Sequence, residues 1–213
     1  SVSLFPGVGN GTFGARTDFA TPTGPRQVAV GDLNGDGLPD MVVAIGGSAV
    51  MSVFLGTGGG AFAARVDVAL SVAPISLALG DLNGDGALDV ALGYGASNPL
   101  SILPGDGRGG FGPRVDFTAP GGLADVAVGD LTGDGRPDVA TASLSPAGVA
   151  LFPARRASRI TLTATPNPVV VGQPLLLTAT VAPAAVGGVL PTGTVRFFDG
   201  LTPVGSGTLD GGP

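Results

Sequence analysis

The sequence predicts an all-β protein: a partial β-propeller of about three four-stranded blades, followed by an incomplete β-sandwich. Three observations predict it. The chain carries 39 Gly and 19 Pro in 213 residues and no long helix-forming run, the composition of short strands joined by tight turns. A ten-residue motif, GDLNGDGLPD from Gly31 to Asp40, returns as GDLNGDGALD from Gly80 and GDLTGDGRPD from Gly129. Asp32, Asp81 and Asp130 are therefore 49 residues apart twice over, without a gap.

The register also holds outside the motif. Phe13, Phe62 and Phe111 correspond, as do Arg16, Arg65 and Arg114, then Asp18, Asp67 and Asp116, and also Leu4, Val53, Ile102 and Leu151. A register kept over three periods marks a repeat protein with one structural unit per period. Within the unit, Val28-Ala29-Val30, Leu77-Ala78-Leu79 and Val126-Ala127-Val128 read as a first strand, with large residues on one face and Ala on the other. The continuous apolar run Asp40–Ile45 reads as a second strand, buried on both faces. Val50–Leu55 is a third. The Gly-rich turn at Gly56–Gly60 leads to a fourth over Phe62–Ala69. Four hairpin-linked strands in one period match a propeller blade. A sandwich of unrelated hairpins needs no gapless period, and the rungs of a parallel β-helix are shorter.

Composition excludes several functions. All sixteen acids are Asp and all ten bases are Arg, giving a net charge of −6. That balance speaks against nucleic acid, which calls for clustered Lys and Arg. With no Cys there is no disulfide framework or thiol chemistry. With no His the commonest general base and transition-metal ligand are missing. No apolar run approaches the ~20 residues of a membrane-spanning helix. The Arg-only, Ala/Gly/Pro/Val-rich composition points to a GC-rich bacterial genome.

The repeated motif is the candidate site. Numbered from its first Asp, positions 1, 3, 5, 7 and 9 are Asp32, Asn34, Asp36, Leu38 and Asp40 in the first copy. They are Asp81, Asn83, Asp85, Ala87 and Asp89 in the second, and Asp130, Thr132, Asp134, Arg136 and Asp138 in the third. Side-chain oxygens at alternating positions, with the backbone carbonyl of position 7, suit the 6–8 oxygen shell of Ca²⁺. Gly37, Gly86 and Gly135 at position 6 permit the central bend. An EF-hand needs a Glu at position 12, where this chain has Val43, Leu92 and Thr141. The copies therefore read as calcium loops closing β-hairpins, one ion each. A plain hairpin turn explains the Gly and one Asx per loop, but not three carboxylates in nine residues, whose mutual repulsion is costly without a cation. Three Ca²⁺ would add six positive charges to the net of −6.

These residues resemble the FG-GAP repeat of integrin-α-type β-propellers, known in bacterial proteins as the VCBS-like repeat. The Asp-x-Asn-Gly-Asp-Gly-x-x-Asp loops carry the resemblance, together with the turns Gly-Thr-Phe-Gly at 11–14 and Gly-Gly-Phe-Gly at 109–112. The middle turn departs, reading Gly60-Ala-Phe-Ala63. The resemblance covers residues 1–153 and implies a seven-bladed, usually extracellular propeller with structural Ca²⁺ in its hairpin loops and ligands bound elsewhere. Both Val2–Phe5 and Val149–Phe152 align with a blade's third strand, so further repeats are expected upstream.

A polar linker, 154–159, ends the period, and residues 160–213 change character. Ile160–Ala164, Leu175–Val181 and Gly193–Phe198 alternate between Pro- and Gly-rich turns, as in an antiparallel sandwich. Pro166-Asn-Pro168, Val171–Pro174 and Pro191–Gly200 look like a bacterial Ig-like repeat, partial at about 55 residues against ~100 for a full domain.

The expected function is calcium-binding, non-enzymatic and extracellular or cell-surface, for adhesion or for binding a protein or glycan ligand. A propeller lectin is the first alternative, although the chain has no Trp and one Tyr, Tyr94, to stack on sugars. A non-catalytic scaffold region of a larger secreted enzyme is the second. The paired Arg16/Asp18, Arg65/Asp67 and Arg114/Asp116 read as blade-to-blade ion pairs or edge solubilisation, and the repeated Phe as packing residues. Open propeller edges should make the 213-residue chain self-associate, so light scattering is expected to show mass growing with concentration. A monomer at high concentration would contradict this.

Overall fold

The computed structural model describes residues 1–95, 100–119, 121–154, 158–165, 176–183, 192–199 and 202–210. Every regular element among them is a strand. The chain divides into two compact units, Ser1–Ala154 and Arg155–Pro213.

The first unit is a series of small antiparallel sheets. It opens with a pair, β1 (Val2–Leu4) and β2 (Thr17–Phe19). Then come β3 (Pro25–Gly31), β4 (Asp40–Ile45), β5 (Val50–Phe54), a short ribbon of β6 (Gly56–Gly58) and β7 (Ala61–Phe62), and β8 (Val66–Ala69). Their main sheet runs β3-β4-β5-β8. One period later the same order returns in β9 (Ser76–Gly80), β10 (Asp89–Gly93), β11 (Leu100–Leu103) and β12 (Val115–Phe117). A third sheet holds β13 (Leu123–Gly129), β14 (Asp138–Leu144) and β15 (Ala147–Phe152), the last of them covering Val149–Phe152, expected as a blade's third strand. These are blade-like sheets of a propeller-like fold, and the described residues close no ring. The expected strand over Phe62–Ala69 is split. Phe62 pairs back with Gly56 in the ribbon, and the main strand begins at Val66.

Successive sheets bury equivalent positions. Val2 and Phe19 lie on Met41, Val43, Ile45 and Phe54. The other face of that sheet, Val42, Ala44, Met51 and Val53, meets Leu77, Val90, Leu92, Tyr94 and Leu103. The second sheet presents Ala91, Leu100 and Ile102 to Leu123, Val126, Val139 and Phe152. Strand β4 is thus buried on both faces, as its continuous apolar run predicts. The edge-on contact of Phe19 with Phe54, centroids 6.3 Å apart, returns two periods later as Phe117 with Phe152 at 6.4 Å. Phe62 and Phe111 are partly buried packing residues, whereas Phe13 is 70% exposed.

The first strand alternates as expected, and the structure adds which face is covered. In β3 it is Ala29 that packs inward, while Val28 and Val30 are 46% and 64% exposed. The preceding pair, β1 and β2, packs on β4 and β5, so among the described residues none of that cluster lies over the large face of β3. The third interface differs in chemistry. Where β4 offers Val43 and Ile45, β14 offers Thr141 and Ser143, and their hydroxyls, with that of Ser76, find no hydrogen-bond partner among the described residues.

Polar ties repeat as well. Ser3, Ser52 and Ser101 donate to Asp18, Asp67 and Asp116 at 2.5, 2.6 and 2.6 Å. Each Asp is paired with the Arg two residues before it, at 3.1, 2.8 and 2.9 Å. The ion pair therefore lies within one strand rather than between blades. The Arg then reaches the preceding sheet: Arg65 Nη1 donates to the Ala20 carbonyl (2.7 Å), and Arg114 Nη1 to Ser71 Oγ. Between the first and second sheets, the Leu77 amide donates to Gln27 Oε1 (2.9 Å).

In the second unit β16 (Ser158–Thr165) pairs with β17 (Leu176–Pro183), and β18 (Thr192–Asp199) with β19 (Thr202–Asp210). The three expected strands are present and longer. The fourth, β19, is rich in Gly, Ser and Thr and gave no apolar alternation to read. Linker residues 155–157 and the turns expected at 166–174 lie outside the described residues.

Gln27→Ala leaves the amide of Leu77, a fully buried residue, without its acceptor. It is expected to cost about 1–3 kcal/mol in urea unfolding. Arg16→Ala removes an exposed ion pair, with side chains 58% and 43% accessible, and is expected to stay within about 1 kcal/mol.

Candidate functional site

The three acidic segments close the hairpins β3–β4, β9–β10 and β13–β14. The last ladder pairs are Gly31 with Asp40, Gly80 with Asp89 and Gly129 with Asp138. The first Gly of the first two motifs serves packing. A Cβ on Gly31 would lie 2.6 Å from Leu88 Cδ1, and one on Gly80 2.5 Å from Val128 Cγ1, so the next sheet approaches there.

Each bend is organised by its position-1 carboxylate. Asp32 Oδ1 accepts the amides of Gly35 (2.8 Å) and Asp36 (3.2 Å), and Oδ2 accepts that of Gly37 (2.8 Å). Asp81 repeats this with Gly84, Asp85 and Gly86, and Asp130 with Gly133, Asp134 and Gly135. Gly35 and Gly37 sit at φ 73° and 81°, a region closed to most side chains, so the chain can turn its amides inward. Position 5 accepts next: Asp36 takes the Leu38 amide (2.8 Å) and the Asn34 carboxamide (2.9 Å). Asp85 does the same with Ala87 and Asn83, while Asp134 takes the Arg136 amide at 3.0 Å.

Position 9 behaves differently, and its role was not legible in the motif. Asp40, Asp89 and Asp138 are all buried. One oxygen faces the loop: Asp40 Oδ2 accepts the Leu33 amide (2.8 Å), Asp89 the Leu82 amide (2.9 Å), and Asp138 those of Leu131 and Thr132 (both 2.9 Å). The other faces the connection after the third strand. Asp40 Oδ1 accepts from Gly56 (2.7 Å), Asp89 from Gly105 (2.8 Å) and Asp138 from Ala154 (2.8 Å). One carboxylate thus bolts the loop to a segment 16 residues further along the chain. Position 2 was missed too. Leu33 enters the core, Leu82 packs at the next interface, and Leu131 is 57% exposed.

The carboxylates differ in electrostatics. The Gly37 amide foremost, with those of Gly35, Asn34 and Asp36, outweighs burial and holds Asp32 below the ordinary carboxylate range. Burial pushes Asp89 up, against the amides of Gly105 and Leu82, and the charges of Asp85 and Asp81 add to the rise. The Ala154 amide leads in holding Asp138 down, helped by Leu131 and Thr132. Arg136 of the third loop leans on the second, its Nη1 3.6 Å from where a Cβ on Gly84 would sit.

Each loop carries its own five expected positions along one bend, and the three loops do not merge into one centre. A cleft of about 470 Å³ runs between the first and second, lined by Asp32, Asp85 and Asp106 among others. Among the described residues no three acids converge as a ready-made metal cage. The carboxylates instead accept backbone amides. The donor set still fits a hard cation, being all oxygen at alternating positions, and the carboxylate oxygens that accept a single amide, such as Asp32 Oδ2 and Asp36 Oδ1, keep a further lone pair.

The family model for the FG-GAP-like repeat matches residues 1–43, 32–92 and 81–141. That for the bacterial Ig-like domain (group 3) matches residues 162–213. No curated protein matches the chain. Both kinds of module are typical of extracellular or surface proteins and generally non-catalytic.

Asp40→Asn replaces one acceptor with an NH₂ group facing a buried amide. In chelator it is expected to cost about 1–3 kcal/mol in urea unfolding, independently of any ion. Asp138→Asn should also destabilise at pH 7. The folded carboxyl of Asp138 titrates below its unfolded value, so its contribution is full above about pH 4 and is lost as pH falls through the folded value. The two proteins should therefore converge in stability on acidification.

Proposed function

The chain belongs to the FG-GAP-like repeat family, with a bacterial Ig-like domain of group 3 after the repeats, and on that premise we propose that it is a calcium-stabilised extracellular module that adheres or binds rather than catalyses. The observation that carries this is the threefold recurrence of one hairpin loop with its oxygen donors in the same five places. Asp32, Asn34, Asp36, the Leu38 carbonyl and Asp40 would hold the first ion. Asp81, Asn83, Asp85, the Ala87 carbonyl and Asp89 would hold the second. Asp130, Thr132, Asp134, the Arg136 carbonyl and Asp138 would hold the third. Bound Ca²⁺ would neutralise the clustered carboxylates and stiffen the bends.

The partner-binding function is favoured over a sugar-stacking one. The single tyrosine, Tyr94, is buried in the core and the chain has no tryptophan, so neither offers a platform to a pyranose ring. Secretion and attachment at a bacterial surface follow from the pairing of the two modules and belong to the same proposal.

Calcium that binds only the folded chain must raise its melting point with concentration. At a Kd of ~10⁻⁴ M, 10 mM Ca²⁺ contributes about 2.7 kcal/mol per site, a rise of several degrees. Asp36→Asn with Asp85→Asn should remove most of that rise while leaving the melt in chelator nearly unchanged. An unmoved midpoint in millimolar calcium would refute ion binding.

A further inference from the structure

We propose that the third loop is a calcium-set joint, which governs how firmly the chain is held where it leaves the repeat unit. This rests on the calcium reading above and adds a regulatory role that the first two loops do not share.

The loops look alike in sequence, but their position-9 carboxylates hold different things. Asp40 and Asp89 take the amides of Gly56 and Gly105, which open the connection to a fourth strand of the same sheet. Those segments are fixed at both ends, by the third strand before and the fourth strand after. Asp138 takes the amide of Ala154 at 2.8 Å. Ala154 is the last residue of the first compact unit, and the second begins at Arg155. Among the described residues no fourth strand of the sheet follows it. The hydrogen bond that closes a connection between two strands in the first two sheets is thus the last described hold on the chain in the third.

The tether is built around one side chain. Asp138 is buried, its Oδ1 committed to Ala154 and its Oδ2 to the amides of Leu131 and Thr132 within the loop. The second loop-side amide, that of Thr132, has no counterpart bond to Asp40 or Asp89. Moving this carboxylate therefore shifts both the loop and the exit residue. An ion drawing on Asp130, Thr132 and Asp134 fixes the loop whose Leu131 and Thr132 amides hold this carboxylate from one side, while the Ala154 amide holds it from the other. Occupancy of the loop and protection of the Ala154 amide then become linked equilibria, each strengthening the other.

The test is amide hydrogen exchange by NMR on the whole 213-residue chain, at 10 mM Ca²⁺ and in chelator. The Gly56 and Gly105 amides serve as internal references. Calcium is expected to slow exchange of the Ala154 amide by about tenfold or more, and to slow trypsin cleavage after Arg155 and Arg156 in parallel. Asp134→Asn weakens the ion site but keeps Asp138, and should abolish the calcium effect at Ala154 alone. Asp138→Ala should leave Ala154 fast with or without calcium. If calcium raises the melting point and protects Gly56 and Gly105 but leaves Ala154 unchanged, the joint is wrong and the calcium reading stands. If Asp134→Asn keeps the calcium effect at Ala154, the joint is likewise wrong. If neither the melt nor any of the three amides responds, the calcium reading fails and the joint falls with it.

Discussion

A buried carboxylate that accepts backbone amides on both of its oxygens is the constraint on which the repeat unit rests. Asp40, Asp89 and Asp138 each stand at the start of the second strand, where the ladder begins. Removing a charge from water is costly unless its lone pairs are satisfied. Here they are met by amides from two chain segments distant in sequence. The loop cannot swing away without exposing that charge to a site empty of donors. The connection after the third strand cannot lift without the same penalty. Local turn geometry and the long-range closure of the sheet are therefore one event, and the strands on either side inherit their register from it.

This interaction also clarifies how the loop stands toward a cation. The carboxylates at positions 1 and 5 are engaged by glycine-rich amides that point inward. The bend is thus shaped without an ion, and bound calcium would act on a preformed hairpin. That fits a stabilising role better than one in which metal creates the fold. It also separates the acids by task. Position 9 holds the framework, while positions 1, 3 and 5 line the exposed bend.

Much of this was legible in the residues, and the reasons for the rest are specific. The period, the loop, the doubly buried β4 and the change of character after Phe152 follow from spacing and patterning alone. Which face of β3 is covered was not legible, because alternation tells which residues share a side but not whether a neighbour covers it, and β1 and β2 stop short of Val28 and Val30. The Arg–Asp pairs were recognised as structural, yet their i, i+2 spacing could not show that the pairing stays in one strand while the guanidinium reaches the sheet before. The double grip of position 9 was invisible because Gly56, Gly105 and Ala154 bind through backbone amides, which no side chain marks in the sequence. The recurrent Leu at position 2 was a signal available in all three copies, overshadowed by the acids around it.

The hydroxyls at the last interface carry a mechanical consequence. Repeat arrays hold together by nearest-neighbour seams, and the seam between the second and third sheets places Thr141 and Ser143, beside Ser76, where the one before has Leu92 and Tyr94. Each seam bears the same load when the chain is pulled from its ends, so the least cohesive yields first. The third sheet is then a sacrificial link that peels away under tension and spares the sheets behind it.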